Sequence, residues 1–196
     1  MLRIALVLAL TAGALAAPEG ARAEEQLATF TLDAFSTIAF GDEVLIPDAG
    51  STLTFRFGDR QPDGSVPFTI RPEDVAIAPV RVPSGGTLLY TLAAPASGTW
   101  VPTLEGPRIA FTATVRARLE GPNGNGSFDY TLPFTTESVT AQSADGSDTR
   151  SVTGLRLVPG AGYARLVGAT TNRENAFPAP GTAVTTVLSG SFDRVP

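Results

Sequence analysis

Cysteine, histidine and lysine are all missing from this 196-residue chain. Without histidine there is no Ser-His-Asp triad, no Cys-His pair and no imidazole metal site. Without cysteine there are no disulfides, and protein-ligated zinc and iron–sulfur sites are excluded as well. The carboxylates remain, and a hydrolase built on them would need one acid held protonated beside one ionised. Aromatic girdle residues are also scarce, with one Trp and three Tyr. Together with many prolines and the end Asp193-Arg194-Val195-Pro196, that scarcity argues against an outer-membrane barrel. All 14 basic residues are Arg, and with frequent Ala, Gly and Pro this composition suggests a GC-rich bacterial coding sequence.

What is present begins with a leader. Met1-Leu2-Arg3, an apolar run through Ala17 and then Ala21-Arg22-Ala23 have the basic start, short apolar middle and small-x-small end of a secretory signal peptide. The expected domains are therefore a signal peptide at 1–23 and a single all-β domain at 24–196. Arg3, Arg22 and Glu19 fall in the leader, so 14 basic and 19 acidic residues become 12 and 18, a mature net charge of −6. Nucleic acid is not an expected partner for such a surface. Cleavage would leave no integral membrane span, and a chain of this length buries roughly 70 % of its unfolded surface. The expected location is the periplasm or the medium, with stability coming from the core alone.

The rest of the chain reads as strands. In residues 109–119 the apolar side chains fall on every second position, with Thr112, Thr114, Arg116 and Arg118 between them. Phe128, Tyr130, Leu132 and Phe134 repeat the pattern on the return. Placing Glu120 opposite Ser127, across a Gly-Pro-Asn-Gly-Asn-Gly tip, pairs Leu119 with Phe128, Ala117 with Tyr130 and Arg118 with Asp129. A second hairpin follows the same logic, with Phe57 facing Val66, Phe55 facing Phe68 and Leu53 facing Ile70. Both return strands carry Pro-Phe-Thr (Pro67-Phe68-Thr69 and Pro133-Phe134-Thr135), which raises the question of an internal repeat. Each proline lacks a ladder N–H and so suggests an edge or a bulge, which favours an open sandwich over a closed barrel.

Residues 27–35, 38–46 (interrupted at Gly41-Asp42), 75–82, 87–93 and 184–192 are also expected as strands, with 94–98 as a linker and Trp100 as a core plug. A third hairpin is expected from 152–158 and 163–170, with a bulge at Gly154. The predicted fold is an antiparallel β-sandwich of roughly 8–10 short strands, with a β-barrel as the alternative.

Carboxylates at Asp42, Asp48, Asp59, Asp63, Asp145 and Asp148 sit beside turn residues, where Asp caps backbone groups. Glu73-Asp74 forms a loop pair, and Glu120, Asp129 and Glu137 lie near the central hairpin. Residues 143–148 offer oxygen ligands for calcium but lack EF-hand spacing. Asn125-Gly126-Ser127 matches a glycosylation acceptor yet is equally a turn tip. Residues 171–181 form a long connection where Arg173, Glu174 and Phe177 could bind a partner.

No residue is assigned a catalytic, cofactor-binding or metal-ligating role. The expected function is non-catalytic: binding an unknown protein or envelope partner, or a structural role. A carrier of a lipid or other apolar small ligand is the alternative, and an unusually spacious interior would favour it. An outer-membrane barrel and a carboxylate-pair hydrolase stand behind both.

Overall fold

The computed structural model describes residues 25–83, 85–103, 107–121, 124–137, 139–142, 149–152, 162–175 and 177–196. The expected leader, the calcium candidate at 143–148 and the bulge at Gly154 lie outside them.

Fifteen strands and one short 3-10 turn make up the described chain. The first group is β1 (Gln26–Leu32), β2 (Thr37–Phe40), β3 (Glu43–Leu45), β4 (Thr52–Phe57) and β5 (Val66–Ile70). The short strands β6 (Val75–Ala76) and β7 (Val80–Val82) come next, followed by β8 (Gly86–Leu92) and β9 (Ala96–Val101). The long central hairpin is β10 (Arg108–Gly121) and β11 (Gly124–Thr136), and a small separate hairpin is β12 (Val139–Gln142) with β13 (Thr149–Val152). The chain closes with β14 (Tyr163–Thr171) and β15 (Ala183–Phe192). Every pairing is antiparallel, as expected of an all-β chain with turn chemistry between short strands.

The order β1-β4-β5-β9-β10-β11-β14-β15 returns to β1 through Phe30↔Phe192 and Leu32↔Gly190. Eight strands thus form a closed circuit, but it closes along only part of its length. The first half of β10 pairs with β9, whereas its second half, from Val115 to Glu120, pairs with β8, which carries β7. In the same way the end of β15 pairs with β1, while Val184 to Val187 pair with β2, which carries β3. One end of the molecule is therefore a barrel. At the other end the same long strands run on as two layers, β7-β8-β10-β11 and β3-β2-β15-β14. Sandwich and barrel describe the two ends of one continuous sheet system.

Alternation sets the inner face throughout. Phe30, Phe55, Phe134 and Phe192 are fully buried, and rings from seven strands (β1, β4, β5, β9, β10, β11 and β15) meet at the barrel end. Phe55 lies 5.0 Å from Phe192 between centroids, and Phe111 stacks on Phe134 at 4.8 Å. Trp100 is the expected plug, 2 % exposed and edge-on to Phe192 and Phe57. Both Phe68 and Phe134 of the two Pro-Phe-Thr segments pack on Phe111.

Several expected details change. The central hairpin turns two residues tighter, pairing Gly121 with Gly124, so Ala117 faces Phe128, Val115 faces Tyr130 and Arg116 faces Asp129. Faces survive a two-residue slip and partners do not. The tighter register works because Gly126 enters the strand, where an added Cβ would come within 2.7 Å of the Phe128 ring. The second hairpin slips the other way, pairing Phe57 with Phe68. Of the expected linker 94–98, Ala94-Pro95 is the connection and Ala96 to Gly98 already belong to β9. Gly98 is needed there because an added Cβ would meet Ala110 O at 2.4 Å and the Phe68 ring at 2.6 Å. The expected strand 75–82 splits into β6 and β7 around Pro79. Of the expected third hairpin, residues 153–158 lie outside the described residues; its second strand is β14, which pairs with β15 and with the end of β11, and Val152 pairs with Val139.

Neither proline marks a whole edge strand. The Pro67 carbonyl accepts from Gly58 N at 2.9 Å, so its ring nitrogen faces the mouth of the β4–β5 hairpin, beyond the last pair. Glu137 N donates to Arg165 O, which places Thr135 and Pro133 on the β14 side of β11 by alternation. Pairing with β14 stops at Phe134↔Gly168, just where Pro133 has no N–H to give.

Candidate functional site

Three places bring polar groups together.

The first is an open groove of about 640 Å³ on the outside of the barrel end, lined by Glu25, Gln26, Arg56, Asp59, Arg60 and Thr69 among others. Arg56 projects outward from β4 because Phe55 and Phe57 project inward. Its Nε and Nη2 each donate to Asp74 at 2.7 Å, and its Nη1 donates to Glu25 at 2.9 Å. Asp74 ends the 3-10 turn Pro72–Asp74 and also accepts from Arg71 N at 3.0 Å. It is only 8 % exposed, and the Arg56 guanidinium holds its carboxyl below the ordinary value. The acid pair expected simply as a loop feature thus contains the best-buried described carboxylate. Its signal was present in the sequence as Arg71-Pro72-Glu73-Asp74, the pattern of a turn whose third residue bonds back to its cap. With three Arg56 nitrogens engaged, this is a clasp between the residue leading into β1, strand β4 and the 3-10 turn.

The second place is the connection after β14. Asn172 is buried, and its amide donates to Asn175 O at 2.8 Å and to Pro178 O, while its Oδ1 accepts from Asn175 N at 3.0 Å. Phe177, which follows in the same segment, packs on Phe40 and Phe128, and its carbonyl accepts from the Tyr130 hydroxyl. Burial pushes the Tyr130 phenol up to about 12. Asn175 Nδ2 donates to Asp129 O at 3.0 Å, covering part of the β11 edge that β14 has left. Of the three residues expected to bind here, Phe177 belongs to the wall of the core. Arg173 and Glu174 stand exposed.

The third is the space between the layers at the two-layer end. Tyr90 on β8 and Thr186 on β15 share a buried hydrogen bond of 2.6 Å across it, and burial raises the Tyr90 phenol. The interior void lined by Leu53, Ile70, Tyr90, Phe111, Phe134 and Leu188 is about 20 Å³, room for about one water molecule. No buried side-chain nitrogen or oxygen among the described residues lacks a partner.

The remaining acids among the described residues are dispersed. Asp63 accepts from Ser65 N at 3.0 Å and from Ser65 Oγ at 2.6 Å, a turn cap that lowers its carboxyl. Asp129 pairs with Arg116 through two bonds of 2.8 Å, and that guanidinium lowers it as well. Arg118, expected opposite Asp129, pairs with Glu120 at 2.8 Å, and Glu137 pairs with Arg165 at 2.5 Å. Each carboxyl with a resolved shift moves down, away from the protonated form a general acid requires. Among the described residues no group of three acidic side chains converges as a metal site.

No family model, curated protein or solved structure matches this chain. The class of protein is therefore defined by the fold and its surfaces: an antiparallel all-β domain with a filled, aromatic-rich core.

Proposed function

We propose that the mature chain is an exported, non-catalytic β domain with a binding or structural role in the periplasm, the cell envelope or the medium. The observation that carries this reading is the filled interior. A carrier of a lipid or apolar ligand needs a cavity of several hundred Å³, and the void between the layers is about 20 Å³. The acids add support, since those with resolved shifts are held ionised by arginine or by turn hydrogen bonds. The distribution of polarity supports a water-facing exterior. Phe and Leu point inward while Arg116, Asp129 and Arg118 point outward, the reverse of a lipid-facing barrel. Export rests on the leader motif at 1–23, and Glu25, two residues beyond the expected cleavage site, already belongs to the Arg56 clasp.

Fractionation of the native host with mass determination of the mature chain tests this. The expected outcome is a soluble periplasmic or extracellular protein beginning at Glu24. Recovery only from detergent-extracted membranes would overturn it. Crosslinking the mature protein in its own envelope would then identify the partner by mass spectrometry.

A further inference from the structure

At the two-layer end, one side of the sandwich is bordered by two short neighbouring strands from opposite layers. Among the described residues β7 pairs only with β8, and β3 only with β2, so each leaves an edge open. Gly85 N donates to Val82 O at 3.0 Å beside the pair Val82↔Gly86. Val82 and Val80 therefore bond toward β8, and by alternation Arg81 turns its backbone N–H and C=O to the open side. The two-residue turn Gly41-Asp42 gives the pair Phe40↔Glu43 the same role in β3, so the Val44 backbone also faces its open side. A groove of about 380 Å³ is lined from both strands, by Val44, Ile46, Asp48, Pro79, Val80 and Arg81 among others. Val44 is 54 % exposed and Ile46 59 %, two of the five large apolar side chains exposed among the described residues. Neither the Arg81 guanidinium nor the Asp48 carboxylate has an ion-pair or hydrogen-bond partner among the described residues.

We propose that this groove binds an extended segment of a partner protein that carries an apolar side chain between a basic and an acidic residue. Three features complement one such segment. The open N–H and C=O groups of Val44 and Arg81 match the main chain of an added strand. Val44, Ile46 and Val80 match the apolar side chain. Asp48 and Arg81, each without a countercharge in this chain, match the two flanking charges. A lipid surface would leave the open main-chain groups unused and would press the Asp48 carboxylate against apolar chains. A sugar would leave Val44 and Ile46 without an apolar partner. Pro79 and Pro83 flank β7 and limit its open edge, which opposes the long edge-to-edge pairing by which copies of one chain aggregate. Binding here rests on the role proposed above and gives that role its site.

A random peptide library displayed on phage and selected on mature 24–196 tests this, followed by titration of the consensus peptide. The expected consensus is an apolar residue with Lys or Arg on one side and Asp or Glu on the other. Ile46→Asp and Arg81→Glu should each weaken that peptide about tenfold, whereas Thr114→Ala, on the outer face of β10, should leave it unchanged. Replacing the acid of the peptide by Lys should restore binding to R81E. Circular dichroism melts check that each variant keeps the fold; Arg81 is exposed, so R81E with the charge-swapped peptide serves if I46D does not fold. A library that yields no consensus overturns the proposal, as does a consensus that binds I46D and R81E as tightly as wild type. So does a wild-type dimer, or binding to phosphatidylcholine vesicles, that I46D abolishes, since the groove would then belong to a second copy or to lipid. Fractionation reports on export separately, so a chain exported as expected but indifferent to these substitutions keeps the function and loses the site.

Discussion

At the scale of single residues, burial rather than charge decides what matters. Leu132 is fully buried between the layers, so Leu132→Ala should cost about 2–5 kcal/mol in chemical denaturation. Arg116 and Asp129 leave nearly half of each side chain in water despite their two-bond geometry. Arg116→Ala should therefore cost less than about 1 kcal/mol. Equal losses at the two positions would mean that the inward face is misassigned. The Arg56 clasp adds a pH dependence with a definite sign. Asp74 is held below its ordinary value of 3.8, so the folded chain binds fewer protons than the unfolded chain near that pH. The stability it contributes is present above that value and is lost as pH falls through the lower folded value. Wild type should thus lose stability more steeply than Asp74→Asn as acid is added below about pH 4. Parallel curves for the two proteins would remove the clasp from the account.

At the scale of elements, the strands and their faces were legible in the sequence, because alternation and turn residues are local signals. Register was not. A slip by two leaves Val115, Ala117 and Leu132 on the inner face, so hydrophobic pattern cannot separate the two alignments. The choice rests on side-chain fit across the hairpin itself, which the apolar alternation does not encode: Phe111 stacked on Phe134, Arg116 on Asp129 and the Phe128 ring over Gly126. Strand β9 was hidden for a related reason. Ala94-Pro95-Ala96-Ser97-Gly98 has the composition of a linker, and the need for a glycine there arises from the Phe68 ring lying across it. Gly98→Ala should cost about 1–3 kcal/mol or more by overpacking, whereas Gly64→Ala, with open space around its Cβ position, is opposed only by its φ of +83°. If G98A proved neutral, β5 and β9 would not approach as closely as described.

For the whole molecule, the closed circuit and the two layers share β10, β11, β14 and β15. Breaking either end exposes the core of the other, so thermal unfolding should be a single transition with near- and far-ultraviolet dichroism coincident. Two separated transitions would show the barrel end and the two-layer end melting independently. The candidate binding loop illustrates the same coupling. Residues 171–181 read as an unstructured connection, yet Asn175 and Phe177 tie it to β11 and to Phe40, leaving Arg173 and Glu174 outside.

The sequence by itself determined the all-β class, the inward set of Phe, Leu and Val residues, the disulfide-free core and the loss of imidazole and thiolate chemistry, since each follows from composition or from a period of two. Tertiary structure alone decided the partners: that β1 meets β15, that β10 and β15 each change neighbour midway, and that Asp74 belongs to Arg56. These are contacts between residues far apart in the chain, and they are chosen by how whole faces fit together, a quantity no local pattern contains.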